Sequence, residues 1–214
     1  MKLYTYFRSS AAFRVRIALQ LKGIEAEQIP VHLVRQGGEQ RLPDYLALNP
    51  AGLVPALVDE DLVLTQSLAI IEYLDEVQPE PSLLPGSPAE RARIRAIANA
   101  IACDIHPINN LRVLQYLQHE LGIGEEQKNA WYRHWVVLGL AAVETLLATS
   151  PATGDFCHGS HPTLADCCLI PQVFNARRFN CDLSAMPHIV RIASNCEAIE
   201  AFRLAEPGRQ PDAE

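Results

Sequence analysis

Val77–Glu90, VQPEPSLLPGSPAE, is the stretch that divides the chain. It carries Pro79, Pro81, Pro85 and Pro88 together with Gly86. Proline lacks a backbone N–H and its ring clashes with the preceding helical turn, so no helix runs through such a stretch. It reads as a linker, and the texture of the sequence changes across it. The boundaries it suggests are a first domain over residues 1–80, a linker over 81–90 and a second domain over 91–214.

Upstream, short elements alternate. Lys2–Phe7 has strand character. Ala11–Lys22 repeats apolar residues at helical spacing (Val15, Ala18, Leu19; Phe13, Ile17, Leu21), and Gly23 stands where a helix end takes a left-handed residue. Glu27–Leu33 reads as a second strand. Pro55–Val58 and Leu62–Thr65 flank Asp59-Glu60-Asp61 as a hairpin, and Ser67 reads as the cap of a helix over Leu68–Val77. The order is β-α-β, a long loop, then β-β-α, and the first three elements suit a right-handed parallel crossover.

Downstream there are only helical patterns: Ala89–Gln118, Glu125–Thr149, one opening at Thr163-Leu164-Ala165-Asp166, and two shorter ones after Met186. Thr163 caps the third, with Asp166 bonding back to the cap's own N–H. The tail after Pro207 is polar and reads as frayed. The whole is an α/β domain followed by an all-α domain.

Composition bounds the function. The chain has 214 residues, 49% hydrophobic and 20% charged, with 18 Lys plus Arg against 25 Asp plus Glu, a net charge of -7. A chain of this size buries roughly 70% of its unfolded surface. The acidic balance argues against nucleic acid or an anionic membrane as the main partner. No apolar run reaches membrane-spanning length, and the N-terminus lacks a signal-peptide pattern. The six cysteines form no C-x-x-C pair and read as reduced thiols of a cytoplasmic protein, with Cys167 and Cys168 as core and spacer on two sides of a helix.

Several segments carry possible chemistry. Arg8-Ser9-Ser10-Ala11-Ala12-Phe13-Arg14 puts two hydroxyls between a strand end and a helix start. Free N–H groups there favour an anion, and a hydroxyl can donate to a thiolate; plain N-capping by Ser9 or Ser10 explains the same residues. Val54-Pro55 is a candidate cis bond whose exposed edge would pair with a peptide-like ligand. Gln66-Ser67 opens a helix and can hold a carboxylate, or merely cap. Asp104–Arg112 is polar, and Pro107 should kink the long helix there; a satisfied polar patch or a ligand site both fit. Either Arg177 or Arg178 can hold a carboxylate through two parallel bonds, or serve as a surface arginine. His158 and His161 lack a third ligand, so no metal is expected.

In order and spacing, RSSAAFRVRIALQLKG, ALNPAGLVPAL, QSLAIIEYL, CDIHPINNLRVLQYL, TLADCCLIPQVFNARRF and the terminal RQPD resemble zeta-class glutathione transferases, of the maleylacetoacetate isomerase type, over essentially the whole chain. The resemblance implies a thioredoxin-like first domain, an all-helical second domain, a homodimer, and glutathione bound at the seam. It places Ser9 as the donor to the glutathione thiolate, with Ser10 beside it and Ala11, Ala12, Phe13 and Arg14 completing the segment. It implies a cis Val54-Pro55 bond with the Val54 backbone pairing to the cysteinyl part, and Gln66 and Ser67 on the γ-glutamyl end. Gln40, His106, Asn110, Leu111 and Arg112 would line the pocket. Arg178 matches the substrate-carboxylate arginine, with Arg8 and Arg112 as further cations. Arg14 and Arg16 lie about 200° apart around their helix, so at most one faces the site.

The implied reaction is cis–trans isomerisation of a maleyl diketo acid, maleylacetoacetate to fumarylacetoacetate in tyrosine and phenylalanine catabolism, with glutathione regenerated. Maleylpyruvate isomerisation, conjugation of α-halo acids, and a non-catalytic glutathione-binding dimer are the alternatives. Many zeta enzymes carry cysteine and serine where this chain has Ala11 and Ala12, which removes a candidate protein thiol. A thioredoxin-type redox role is disfavoured because no cysteine lies near Ser9.

Overall fold

The computed structural model describes residues 1–214 and divides into two compact units, Met1–Leu84 with Glu197–Glu214, and Pro85–Cys196. In the first unit β1 (Lys2–Thr5), α1 (Ser10–Lys22), β2 (Glu27–Pro30), α2 (Pro43–Leu48), β3 (Ala56–Asp59), β4 (Leu62–Thr65) and α3 (Ser67–Val77) follow in order. The sheet order is β2-β1-β3-β4. β1 pairs parallel with β2 (Leu3 opposite Gln28) and antiparallel with β3 (Leu3 opposite Leu57); β3 and β4 form the hairpin. Parallel neighbours need a crossover, and α1 supplies it. This is the thioredoxin-like arrangement. The strands are shorter than the apolar runs suggest: the first ends at Thr5 and the second at Pro30, which has no N–H for a ladder.

Leu3, Val15, Ile17, Leu57, Ile70, Ile71 and Leu74 are fully buried and come from the sheet and from one face each of α1 and α3. Gly23 ends α1 at φ 62°, a left-handed conformation that glycine adopts without a Cβ clash. Lys22, buried beside it, gives its ammonium to Asp75 Oδ1 (2.8 Å) and to the carbonyls of Gln78 and Pro81. The end of α1 is thereby tied to α3 and to the first part of the linker. Val54-Pro55 is cis, as the sequence suggests; so is Glu80-Pro81, which the sequence does not signal.

The tail departs from the sequence reading. Residues 197–214 belong with the first unit rather than with a helical domain running to residue 214. α9 (Glu200–Ala205) buries Phe202 and Ala205. The segment beyond it is not frayed: Gln210 is buried and donates to the carbonyls of Leu204 and Glu206, and Asp212 accepts from the Phe7 N–H (2.9 Å). A polar sequence is fixed here because its polar groups find backbone partners.

The second unit is helical. α4 (Pro88–Asn99) opens on a capping box between Ser87 and Glu90. The single helix expected over Ala89–Gln118 is broken. α4 passes into a π-helical segment, Ala100–Ile105, then a 3-10 turn, Pro107–Asn109, and α5 (Leu111–His119) starts afresh. Pro107 removes a helical donor, and Asn110 caps α5 by accepting from the Val113 N–H (3.2 Å). α6 (Glu125–Ala148) crosses this break at Gly139, where a Cβ would stand 2.4 Å from Ile105 Cγ1. α7 (Leu164–Arg178) and α8 (Pro187–Glu197) complete the unit. Cys167 and Cys168 are both fully buried, so neither is a spacer.

At the start of α7, Asp166 is fully buried and accepts from the N–H and hydroxyl of Thr163 (2.8 Å each) and from the Cys157 N–H (2.8 Å). Burial pushes its carboxyl up, against these hydrogen bonds, which pull it down. Removing Asp166 strands all these donors; removing the Thr163 hydroxyl frees one. Thr163→Ala should therefore cost about 0.5–2 kcal/mol, and Asp166→Ala about 3 kcal/mol or more. Urea unfolding of the two variants checks this, and equal losses would contradict it.

Candidate functional site

The chain leaves β1 through buried Tyr6 and Phe7 and turns at Arg8 into α1. Ser9 is the N-cap of that helix, with extended backbone (φ -70°, ψ 117°). Its N–H donates to the Tyr6 carbonyl (2.9 Å), which closes the turn. Its Oγ accepts from the Ala12 N–H (3.2 Å). The cap therefore uses the oxygen and leaves the hydroxyl proton for another acceptor. Ser9 and Ala11 are half-buried, whereas Ser10, Ala12 and Phe13 are buried, so Ser9 carries the accessible hydroxyl. Capping and thiolate donation are thus compatible roles of one side chain.

The arginines separate by role. Arg8 is exposed; its guanidinium lies 5.0 Å from the Phe7 ring centroid and donates to the Tyr6 hydroxyl (2.9 Å). Arg14 is buried and donates to Ser67 Oγ (3.2 Å) at the start of α3. Arg16 is buried on the other side of α1. It donates to the carbonyls of Tyr6 (3.3 Å), Phe7 (2.9 Å) and Ala205 (3.1 Å) and to the Thr5 hydroxyl (3.1 Å). Burial lowers its pKa to about 10, with Asp212 opposing, so it stays cationic at neutral pH.

α3 begins differently from the sequence reading. Gln66, not Ser67, occupies the cap position, and neither side chain caps the helix. Gln66 has φ 68° and ψ 115°, a left-handed backbone that costs a non-glycine residue about 1–3 kcal/mol and collects at ligand sites. With the hydroxyl of Ser67 held by a buried arginine, this helix start offers N–H groups, a hydroxyl and a cation to a carboxylate. Gln40, in the loop before α2, is buried; its Nε2 reaches the Leu33 carbonyl (3.4 Å), but its Oε1 is buried without a protein partner. Val54 is buried after Leu53, whose carbonyl accepts from Tyr45 Oη and Asn49 Nδ2 (2.7 Å each). Those bonds fix the approach to the cis Val54-Pro55 bond.

In the second unit, His106, Asn110, Leu111 and Arg112 flank the 3-10 turn. Asn110 is committed to capping α5, and Arg112 is exposed. Arg178 ends α7, exposed, with its guanidinium 5.0 Å from the Phe179 ring. His158 lies beside Arg93 Nη1 (3.3 Å) and Glu90 (3.7 Å), and no group of three His, Cys, Asp or Glu residues is placed to hold a metal ion. A hollow of about 750 Å³ beside the C-terminal half of α1, lined by Arg16, Gln20, Glu25, Gln28 and Leu204 among others, contains none of the predicted site residues.

Two participants were not singled out by sequence: Arg16, assigned no role, and Asp212, in a tail read as frayed. The alternating arginines at 14 and 16 and the terminal RQPD are the available signals, but it takes the fold to show which groups converge on Arg16 and Asp212.

The chain matches the family model for the N-terminal domain of glutathione S-transferase over residues 1–76 and that for the C-terminal domain over residues 136–188. It is 52% identical to a probable maleylacetoacetate isomerase of Vibrio cholerae, over 99% of this chain and 97% of that protein. It superposes on a bacterial zeta-class glutathione S-transferase, maleylpyruvate isomerase, with TM-score 0.97 and 48% identity, covering both chains fully. A maleylacetoacetate isomerase of Methylobacterium extorquens, solved with malonate and glutathione, gives TM-score 0.96 and 43% identity over both full chains. No helix of this chain is long and apolar enough to cross a membrane.

Proposed function

The chain belongs to the glutathione S-transferase family, in its zeta class, and on that premise we propose that it catalyses the glutathione-dependent cis–trans isomerisation of a maleyl keto acid. The observation that carries the reading is the cap at Ser9, whose oxygen is committed to the Ala12 N–H while its proton is not. The first unit also suits a thiol peptide with carboxylate ends. Gln40 offers a buried, unpartnered oxygen to a donor, and the strained Gln66 with Ser67 and Arg14 offers a carboxylate site. Relatives act on maleylacetoacetate and maleylpyruvate, and one was solved with glutathione bound.

Bound glutathione supplies a nucleophilic thiolate that adds reversibly to the cis double bond, permitting rotation. The protein's part follows from its residues. Ser9 donates its hydroxyl proton to the sulfur, and the N–H groups of the first turn of α1 favour the thiolate charge, so the thiol ionises near neutral pH. Gln66 and Ser67 orient the γ-glutamyl carboxylate, and Val54 pairs its backbone with the cysteinyl part. Gln40 is assigned to the glutathione site of the first unit, and His106, Asn110, Leu111 and Arg112 to ligand contacts made by the second, Asn110 through atoms its cap leaves free. Arg178, with Arg112 and Arg8 as further cations, holds substrate carboxylates and opposes charge developing on the keto oxygen. With alanine at position 11, no protein thiol stands in this turn beside Ser9. We assign this activity to a cytoplasmic homodimer, consistent with cysteines that form no disulfide.

Maleylacetoacetate is the assigned substrate, and paired measurements of kcat/KM with maleylacetoacetate and maleylpyruvate test it. A higher value for the first acid supports the assignment; turnover of neither, with glutathione bound, would reduce the protein to a binding module or a conjugating transferase. Ser67→Ala should raise the KM for glutathione about tenfold, the loss of a hydrogen bond to a charged group, with kcat within about twofold. Initial-rate kinetics at saturating substrate check this, and an unchanged KM would move the carboxylate elsewhere.

A further inference from the structure

We propose that Asp212 is a positioning residue for the Ser9 hydroxyl, acting through a clasp that the C-terminal tail places on the turn between β1 and α1. The inference rests on the assignment of Ser9 as thiolate donor and extends it to a segment that makes no contact with that hydroxyl.

The turn that presents Ser9 has little holding of its own. Its closing bond runs from the Ser9 N–H to the Tyr6 carbonyl. That carbonyl also accepts from Arg16, and so does the next one, at Phe7. The Phe7 N–H points the opposite way and donates to Asp212 Oδ2 (2.9 Å), across a sequence separation of 205 residues. Both polar groups of the Phe7 peptide backbone are therefore held, one by a buried cation and the other by a carboxylate. The second carboxylate oxygen, Oδ1, is buried without a hydrogen-bond partner, and the charge of Asp212 acts on Arg16. Arg16 also reaches α9, donating from Nε to the Ala205 carbonyl (3.1 Å).

The tail is in turn anchored on both sides of Asp212. Gln210 is buried and bonded to the carbonyls of Leu204 and Glu206. Glu214 pairs with Arg35 (2.5 Å) and lies 3.4 Å from His32 Nε2. An ordered polar tail with such anchors fixes the backbone two residues before Ser9. A hydroxyl that must meet a sulfur at hydrogen-bond distance is sensitive to such fixing, since displacement by about 1 Å can cost up to about 100-fold in rate.

The test compares D212A, D212N and S9A with the parent chain in three readouts: the pH titration of thiolate absorbance of bound glutathione, amide hydrogen exchange of residues 7–12 without glutathione, and kcat with KM. D212A should raise the apparent pKa of the bound thiol, speed exchange in that segment and lower kcat about tenfold, with the KM for glutathione within about twofold. D212N keeps an acceptor oxygen and loses the charge, and should fall between, with kcat down about threefold. D212A equal to the parent in titration and exchange overturns the clasp; should D212A not fold, D212N equal to the parent does so. S9A shifted while D212A is not overturns the clasp alone. S9A equal to the parent in titration and in kcat, while D212A loses turnover and protection, overturns the Ser9 assignment and with it the proposal that Asp212 positions this hydroxyl.

Discussion

Ser9→Ala lowers kcat by about 100-fold while the protein remains folded. The magnitude is that of removing one hydrogen-bond donor from a charge-stabilising site, about 10²–10³ in rate. The structure separates this loss from the structural one. Ser9 Oγ accepts from the Ala12 N–H, so the substitution also removes a helix cap, worth about 1 kcal/mol. A stability loss of that size does not unfold a two-unit chain with a core such as this one. Ser9→Thr keeps both the acceptor and the proton and should restore most of the rate, whereas Ser10→Ala, at a buried side chain, should leave it within a few-fold. Thiolate absorbance of bound glutathione gives an independent reading: at pH 7 the S9A complex should show a smaller thiolate fraction than the parent. A fall in kcat with no change in that fraction would move Ser9 from ionising the thiol to orienting it.

Arg16→Met destabilises the protein by about 3–5 kcal/mol, the largest effect expected from a single side chain here. Methionine fills much of the volume but donates nothing. The carbonyls of Phe7 and Ala205 and the Thr5 hydroxyl lose the guanidinium as donor, and the Tyr6 carbonyl keeps only the Ser9 N–H. Stranding several buried acceptors of a charged donor falls in this range. Arg16→Lys recovers only part of it, because a single ammonium cannot span acceptors arranged for a planar fork. Chemical denaturation gives the difference directly. A loss below about 1 kcal/mol would mean that water takes over these acceptors and that the buried network is not what joins α9 to the sheet.

Much of the architecture was legible because short-range rules decide it. Four prolines within Val77–Glu90 keep any helix from running through the stretch, the last of them, Pro88, opening α4, and Gly23 ends α1 where a left-handed residue is required. The hairpin at Asp59–Asp61 and the Thr163–Asp166 start of α7 rest on neighbours in sequence. The site was legible in part for the same reason: Ser9 stands at a strand-to-helix turn, and its capping is local. What escaped the sequence depends on distant partners. Pro107 announced a kink, but not the π-helical segment before it, which packs against Gly139 of α6. Ser67 looks like a cap because its type is right; the left-handed backbone at Gln66 and the bond from Arg14 give it another task. Asp212 reads as tail because no periodic apolar pattern surrounds it in sequence, and its partner, the Phe7 N–H, lies at the other end of the chain.

Counting thiols during turnover decides whether glutathione acts here as a regenerated nucleophile or as a reactant. The parent enzyme would be given maleylacetoacetate in about 100-fold excess over glutathione, with the cis acid followed by absorbance and free thiol titrated at intervals. Complete conversion to the trans acid is expected with the thiol count unchanged, and no conversion when glutathione is left out. Thiol lost in step with substrate, or conversion that proceeds equally without glutathione, would contradict the role of regenerated nucleophile.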